Sequence, residues 1–167
     1  MKSQGQRDCG CGNCPSLKNS YNVCTSYEQE LVAFNGGFIP APPNSDVENI
    51  DGRFKLSFAP DLSYATFQVF VFNATNPGNQ IVAAHLHVGD ANANGPVIVT
   101  LFNNPEGTNV DGLLSNGKIT NADIAHIEGY NTVASLYQGI QRGNIYVNIH
   151  SQLLPAGILR AQLFKTQ

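Results

Sequence analysis

The stretch GRFKLSFAP, residues 52–60, alternates apolar and polar residues with a period of two. Phe54, Leu56 and Phe58 fall on one side of an extended chain, and Arg53, Lys55 and Ser57 on the other. YATFQVFVFNA, residues 64–74, sets Phe67, Val69 and Val71 against Gln68, Phe70 and Phe72. Both sides of its second half are apolar, which predicts a central strand. A period of two is incompatible with a helix, so this part of the chain must bury one face of a sheet. The same reading extends to 27–34, 80–88, 96–102, 143–150 and 157–165, with 112–120 as a short strand or extended loop. Asn35-Gly36-Gly37 and GDANANG, residues 89–95, supply turns, and the three prolines of FIPAPPNSD (38–46) predict loop. The rhythm breaks over 120–140. There Thr120 or Asn121 can cap one helical turn, and Val133, Leu136 and Tyr137 have the spacing of a second. Seven to eight short strands with one or two short helices predict an all-β fold, an antiparallel β-sandwich or flattened barrel.

The first 25 residues do not follow this pattern. They hold all four cysteines, Cys9, Cys11, Cys14 and Cys24, with little apolar periodicity. The expected organisation is a Cys-rich arm, 1–25, followed by one domain, 26–167. A domain without cysteine cannot be tied covalently to the arm. Bonds between the arms of different subunits are therefore the favoured use of the thiols, over pairs within one arm. Zinc ligation is a weaker alternative, because two separated Cys-x2-Cys knuckles are missing, and free thiols are the weakest. Lasting disulfides would place the chain in an oxidising, extracellular setting.

Charged residues make up only 13% of the chain, and the net charge is −3. Asn and Gln together number 29, a composition suited to a surface that packs against copies of itself. No basic stripe exists, so nucleic-acid binding is not expected, and no run is long and apolar enough to span a membrane. No secretory signal is visible at the start of the sequence, so release by lysis of the producing cell is one expected route outward. Gly-x-Ser-x-Gly, phosphate-binding glycine loops and clustered carboxylates are all missing, which argues against a hydrolase. Asn73-Ala74-Thr75 is a glycosylation sequon, too short a match to carry weight.

AAHLHVGD, residues 83–90, places His85 and His87 at alternate positions. On a strand both imidazoles reach the same face, as a metal site would need. Two polar residues on a solvated face show the same spacing. His126 lies in the helical segment and reads as a surface residue.

IVAAHLHVGDANANGPVIVTLF, then ITNADI, then QGIQRGNIYVNIHSQLLPAGILRAQLF, together resemble the CHRD domain, the module named from chordin. The resemblance covers residues 28–165 and implies an all-β extracellular or surface module, and it implies fold more than function. Gly157, Arg160, Gln162 and Leu163 match its closing motif, whereas the glutamate usual in that motif is replaced by Ile158. A fainter likeness is to copper/zinc superoxide dismutase. That likeness implies copper ligation by His85, His87 and His150, with Arg160 guiding an anion. However, no histidine lies between Leu101 and Gly117 to hold a second metal. Against the metal reading stands a structural one, in which the three histidines bond backbone groups and fix one end of the sheet. Likewise Arg160 is expected to pair a buried acid or backbone carbonyls, with Asp90 and Asp123 as candidate partners.

From sequence, then, the leading expectation is a non-enzymatic structural subunit. It self-assembles as a fibre or coat outside a cell or on a spore surface, cross-linked through Cys9, Cys11, Cys14 and Cys24, with itself as partner and no cofactor. The alternatives are a copper- or zinc-binding protein with ligands His85, His87 and His150, and a monomeric surface module that binds a protein or sugar.

Overall fold

A computed structural model describes the backbone of residues 25–35 and 39–40 and the complete residues 49–164. Cys9, Cys11, Cys14 and Cys24, and with them the proposed arm, lie outside the described residues.

Among the described residues nine antiparallel strands follow one another: β1 (Thr25–Asn35), β2 (Ile39–Pro40), β3 (Asp51–Phe58), β4 (Ala65–Ala74), β5 (Ile81–Val88), β6 (Val97–Thr108), β7 (Val110–Ile119), β8 (Ile145–Ser151) and β9 (Leu159–Gln162). Their lateral order is β6-β5-β8-β9-β1-β3-β4-β7, with β2 paired to β1. β1 joins the two halves. Its residues Thr25–Leu31 pair with β3, and Val32 and Ala33 pair with β9. A strand shared in this way turns the sheet so that both apolar faces enclose one core. Phe54, Leu56, Phe58, Val69 and Val71 come from one half and Ala84, Leu86, Val147, Ile149 and Leu159 from the other. The alternation read from the sequence is the burial observed: Phe54 and Leu56 are fully buried and Arg53 is exposed. β4 is central in its half, between β3 and β7, and its second apolar row, Phe70 and Phe72, stacks on the outer face.

The flattened-barrel alternative is corrected. β6 and β7 end the lateral order and do not pair with each other. Other groups meet the edge of β6 instead. The Ser115 hydroxyl donates to the Leu101 carbonyl (3.0 Å), and the Ala125 amide donates to the Ile98 carbonyl (2.8 Å). Once those carbonyls are satisfied, closing the barrel would gain few further bonds.

Three smaller differences have local causes. Ile39 and Pro40, expected in loop, form a two-residue strand opposite Asn35 and Phe34. Here proline sits on a short edge strand, where the missing N–H costs little. β6 continues past 102, but pairing passes from Ala83↔Asn103 to Ile81↔Thr108, so residues 104–107 bulge out. The Asn104 side chain closes that bulge by donating to the Gly107 carbonyl and the Thr108 hydroxyl. Finally, of the short strand or extended loop expected at 112–120 the strand is observed, and it is longer, Val110–Ile119.

The interrupted region is helical where expected. A 3-10 turn spans Asn121–Asp123, with Thr120 and Asp123 capping each other. Helix α1 (Val133–Gln141) begins with a capping box of Thr132 and Ser135. Val133 and Leu136 are buried, and Tyr137 packs its ring edge against Phe58 (5.3 Å). Among the described residues no helix is long and apolar enough to cross a membrane.

Phe54→Ala should lower unfolding stability by about 3–5 kcal/mol, the usual cost of emptying a buried phenylalanine site. Gln68→Ala, on the exposed side of β4, should change it by less than about 0.5 kcal/mol. Denaturant titration of the two variants checks both values.

Candidate metal centre

β5 and β8 are neighbours, with His85 opposite Asn148, His87 opposite Tyr146 and His150 opposite Ala83. The core takes Ala84, Leu86, Val147 and Ile149. Period-two alternation therefore sends His85, His87, Tyr146, Asn148 and His150 to the outer face. β9 adds Arg160 and Gln162 to that face, opposite Asn148 and Tyr146.

On it the three histidines converge. One ring nitrogen from each lies within 4.8 Å of the others. The His85 and His150 rings are 5.0 Å apart between centroids, and His87 is 5.7 and 5.9 Å from them. His87 is buried, with 7% of its surface exposed, while His85 and His150 are half-buried.

Backbone carbonyls decide how these rings present themselves. A carbonyl oxygen only accepts, so His87 Nδ1–H donates to Gly95 O (2.9 Å) and His150 Nδ1–H donates to Pro155 O (2.8 Å). In the neutral rings both Nε2 atoms then carry lone pairs. His85 Nδ1 lies 3.1 Å from His150 Nε2 and donates to it. The buried His87 Nε2 has no hydrogen-bond partner. An orphaned buried acceptor of this kind costs about 1–3 kcal/mol. Three neutral imidazoles, two of them oriented through Nδ1–H to a carbonyl, are a donor set for zinc or copper. Ligands 2.0–2.1 Å from a tetrahedral ion are about 3.3 Å apart. His85 Nδ1 and His150 Nε2 already have that spacing, and to ligate through Nδ1 the His85 ring carries its proton on Nε2 and gives up its bond to His150.

All three imidazoles are held neutral. Burial, followed by the charges of His150 and His87, pushes His85 down to about 4. Burial lowers His87 against the opposing bond to Gly95, with His150 and Arg160 adding to the depression. His150 is lowered by burial against its bond to Pro155.

The rest of the face holds the loops in place. Tyr146, fully buried, stacks on His87 (4.8 Å, 9° between planes) and carries the Arg160 guanidinium 3.5 Å from its ring centroid. Its hydroxyl accepts from Gly95 N (2.9 Å). Arg160 donates to Asp90 O (2.7 Å), Ala93 O (2.9 Å) and Asn94 Oδ1 (3.0 Å). The carbonyl alternative for Arg160 is therefore the observed one. Asp90 serves through its main chain, and its carboxylate accepts from Asn92 N instead. Asp123 is not a partner, because it caps the 3-10 turn. Ile158, in place of the expected glutamate, is fully buried in the core. These bonds occupy the guanidinium with the turn, which leaves the anion-guide role without geometric support. His126 is exposed and apart from the cluster.

Sequence reading missed Tyr146, Gly95 and Pro155. Tyr146 was signalled by its alternation with His150 in YVNIH; the two carbonyls had no signal, since any residue supplies one. Gly95 is required by space: a Cβ there would overlap the Val88 carbonyl. Gly157 is required by conformation, with φ +139°, and by the Asn148 amide against it.

The depressed histidines carry a pH dependence for the metal-free protein. Unfolded imidazoles take up protons near pH 6.5, whereas the folded ones resist until lower pH. Between these limits the unfolded chain binds more protons, so stability falls as pH drops. Denaturant midpoints should be level from pH 8 to about 6.5 and decline toward about pH 4, where His85 itself titrates. His85→Gln should flatten part of that decline.

The CHRD domain model matches residues 32–163, which is 132 of the 167 residues. No curated protein and no solved structure matches the chain. A match over that span, covering the strands that carry His85, His87, His150 and Arg160, means that the chain belongs to the CHRD domain family.

Proposed function

We propose that this chain is a non-catalytic CHRD module that binds one copper or zinc ion through His85, His87 and His150. The CHRD family is generally non-catalytic. The observation that carries the metal reading is His87 Nε2, a buried lone pair without a partner in a cluster of three imidazoles. Nδ1 of all three rings has a partner, which leaves His87 Nε2 as the buried ring nitrogen of the cluster without one. A metal ion repays the cost of the orphan and leaves a fourth position for water. Copper(II) should bind more tightly than zinc, following the general order for nitrogen sites.

Metal titration of the full chain, its cysteines reduced and alkylated, tests this. One equivalent should bind. His87→Ala and His150→Ala should each weaken binding at least tenfold, and His126→Ala should leave it unchanged. Absence of binding at micromolar metal would return the trio to a structural role.

A second reading concerns assembly. The four cysteines all precede the 32–163 match, and within that span there is no thiol to pair with them. Covalent linkage between subunits through these cysteines, at a cell or spore surface, accounts for their segregation and for an amide-rich, weakly charged composition. An open head-to-tail contact would then extend into a fibre. Non-reducing gels should show ladders that collapse with reductant to the 17.9 kDa monomer. A monomer with four free thiols under oxidising conditions would sink this reading.

A further inference from the structure

The metal reading leaves one buried charged group without a task at the ion. Arg160, 3% exposed, extends from β9 on one side of β8, while His87 extends from β5 on the other. Tyr146 lies between them, stacked on His87 and covered by the guanidinium. Arg160 and Tyr146 also converge on the same turn. Arg160 grips Asp90, Ala93 and Asn94, and the Tyr146 hydroxyl takes the Gly95 amide. The other side of that residue, the Gly95 carbonyl, accepts from His87 Nδ1–H.

We propose that Arg160 is a positioning residue for the metal site: by clamping residues 90–95 it holds the Gly95 carbonyl where it fixes His87 as the Nδ1–H tautomer with Nε2 free for the ion. This rests on the metal reading. It assigns Arg160 a role one step removed from the ligands, of the kind that orients metal-bound imidazoles in general.

Arg160 also exerts an opposing effect. Its positive charge disfavours a cation at His87. Positioning outweighs it because three oxygen acceptors share the guanidinium and the Tyr146 ring separates it from His87. The two effects predict opposite signs. If charge dominated, removing it would tighten metal binding; if positioning dominates, removing it loosens binding.

Zinc affinity of the full alkylated chain is measured for wild type, Arg160→Met, Arg160→Lys and Tyr146→Phe, together with the imidazole resonances of the metal-free proteins by 15N NMR. Arg160→Met should weaken zinc about 10–100-fold. Arg160→Lys keeps the charge but lacks the planar fork and should fall between Met and wild type. Tyr146→Phe keeps the ring stack and loses only the hydroxyl that takes the Gly95 amide. It should weaken zinc about three- to tenfold, the range for one lost hydrogen bond, and it guards against misfolding of the arginine variants. The metal-free wild type should show His87 fixed as the Nδ1–H tautomer, and each variant should show it exchanging between tautomers. Unchanged or tighter zinc binding in Arg160→Met and Tyr146→Phe, with the His87 tautomer intact, overturns the positioning role and leaves the metal reading standing. No zinc binding by wild type overturns both.

Discussion

The pairing of β5 with β8 is the constraint on which the core and the candidate site both depend. Leu86 opposite Val147 faces the core, and His87 opposite Tyr146 faces outward. A slip of one residue would exchange these sets, burying imidazoles in the core and exposing aliphatic side chains. The apolar core therefore enforces the register, and the register delivers the histidines to one face. Stability and site geometry share a cause here, because the residues that pack the inside determine which residues meet outside.

That face combines rigidity with buried polar atoms that lack a partner. Tyr146 stacks on His87, Arg160 covers Tyr146, and the carbonyls of Gly95 and Pro155 take the Nδ1 protons. Each of these contacts limits how a ring can rotate. Among the ring nitrogens they leave the buried His87 Nε2 without a partner, as Asn148 Oδ1 and Gln162 Oε1 also are on this face. Held neutral by burial, the three imidazoles need lose no proton from a charged form to take a metal ion at neutral pH. Family membership adds the generally non-catalytic character of CHRD domains, and the metal reading comes from the site itself.

Much of this was legible because alternation is a local property. Phe54, Leu56 and Phe58, the Phe67-Val69-Val71 row and the His85-His87 spacing each lie within a few residues of sequence, and each appears in the structure on the expected face. The capped turn at Thr120 and the apolar stripe of α1 were legible for the same reason. Strand ends were harder. The continuation of β6 past residue 102, and the pairing of Ile39 and Pro40 with β1, depend on which edges are left free.

The sequence by itself determined an all-β domain, the facing of its strands and the shared side of His85 and His87, since these follow from the period of two. A resemblance had grouped His150, 63 residues beyond His87, with the other two histidines, and the tertiary structure supplies the cause by laying β5 beside β8. It also decided that, among the described residues, β6 and β7 do not pair with each other, so that the sheet remains open rather than closing into a barrel. Tertiary structure alone gave Arg160 to backbone carbonyls of the 90–93 turn and to Asn94, and fixed two histidine tautomers through the oxygens of Gly95 and Pro155. The physical reason is that a carbonyl has no side-chain signature. Its power to orient an imidazole comes entirely from where the folded chain places it.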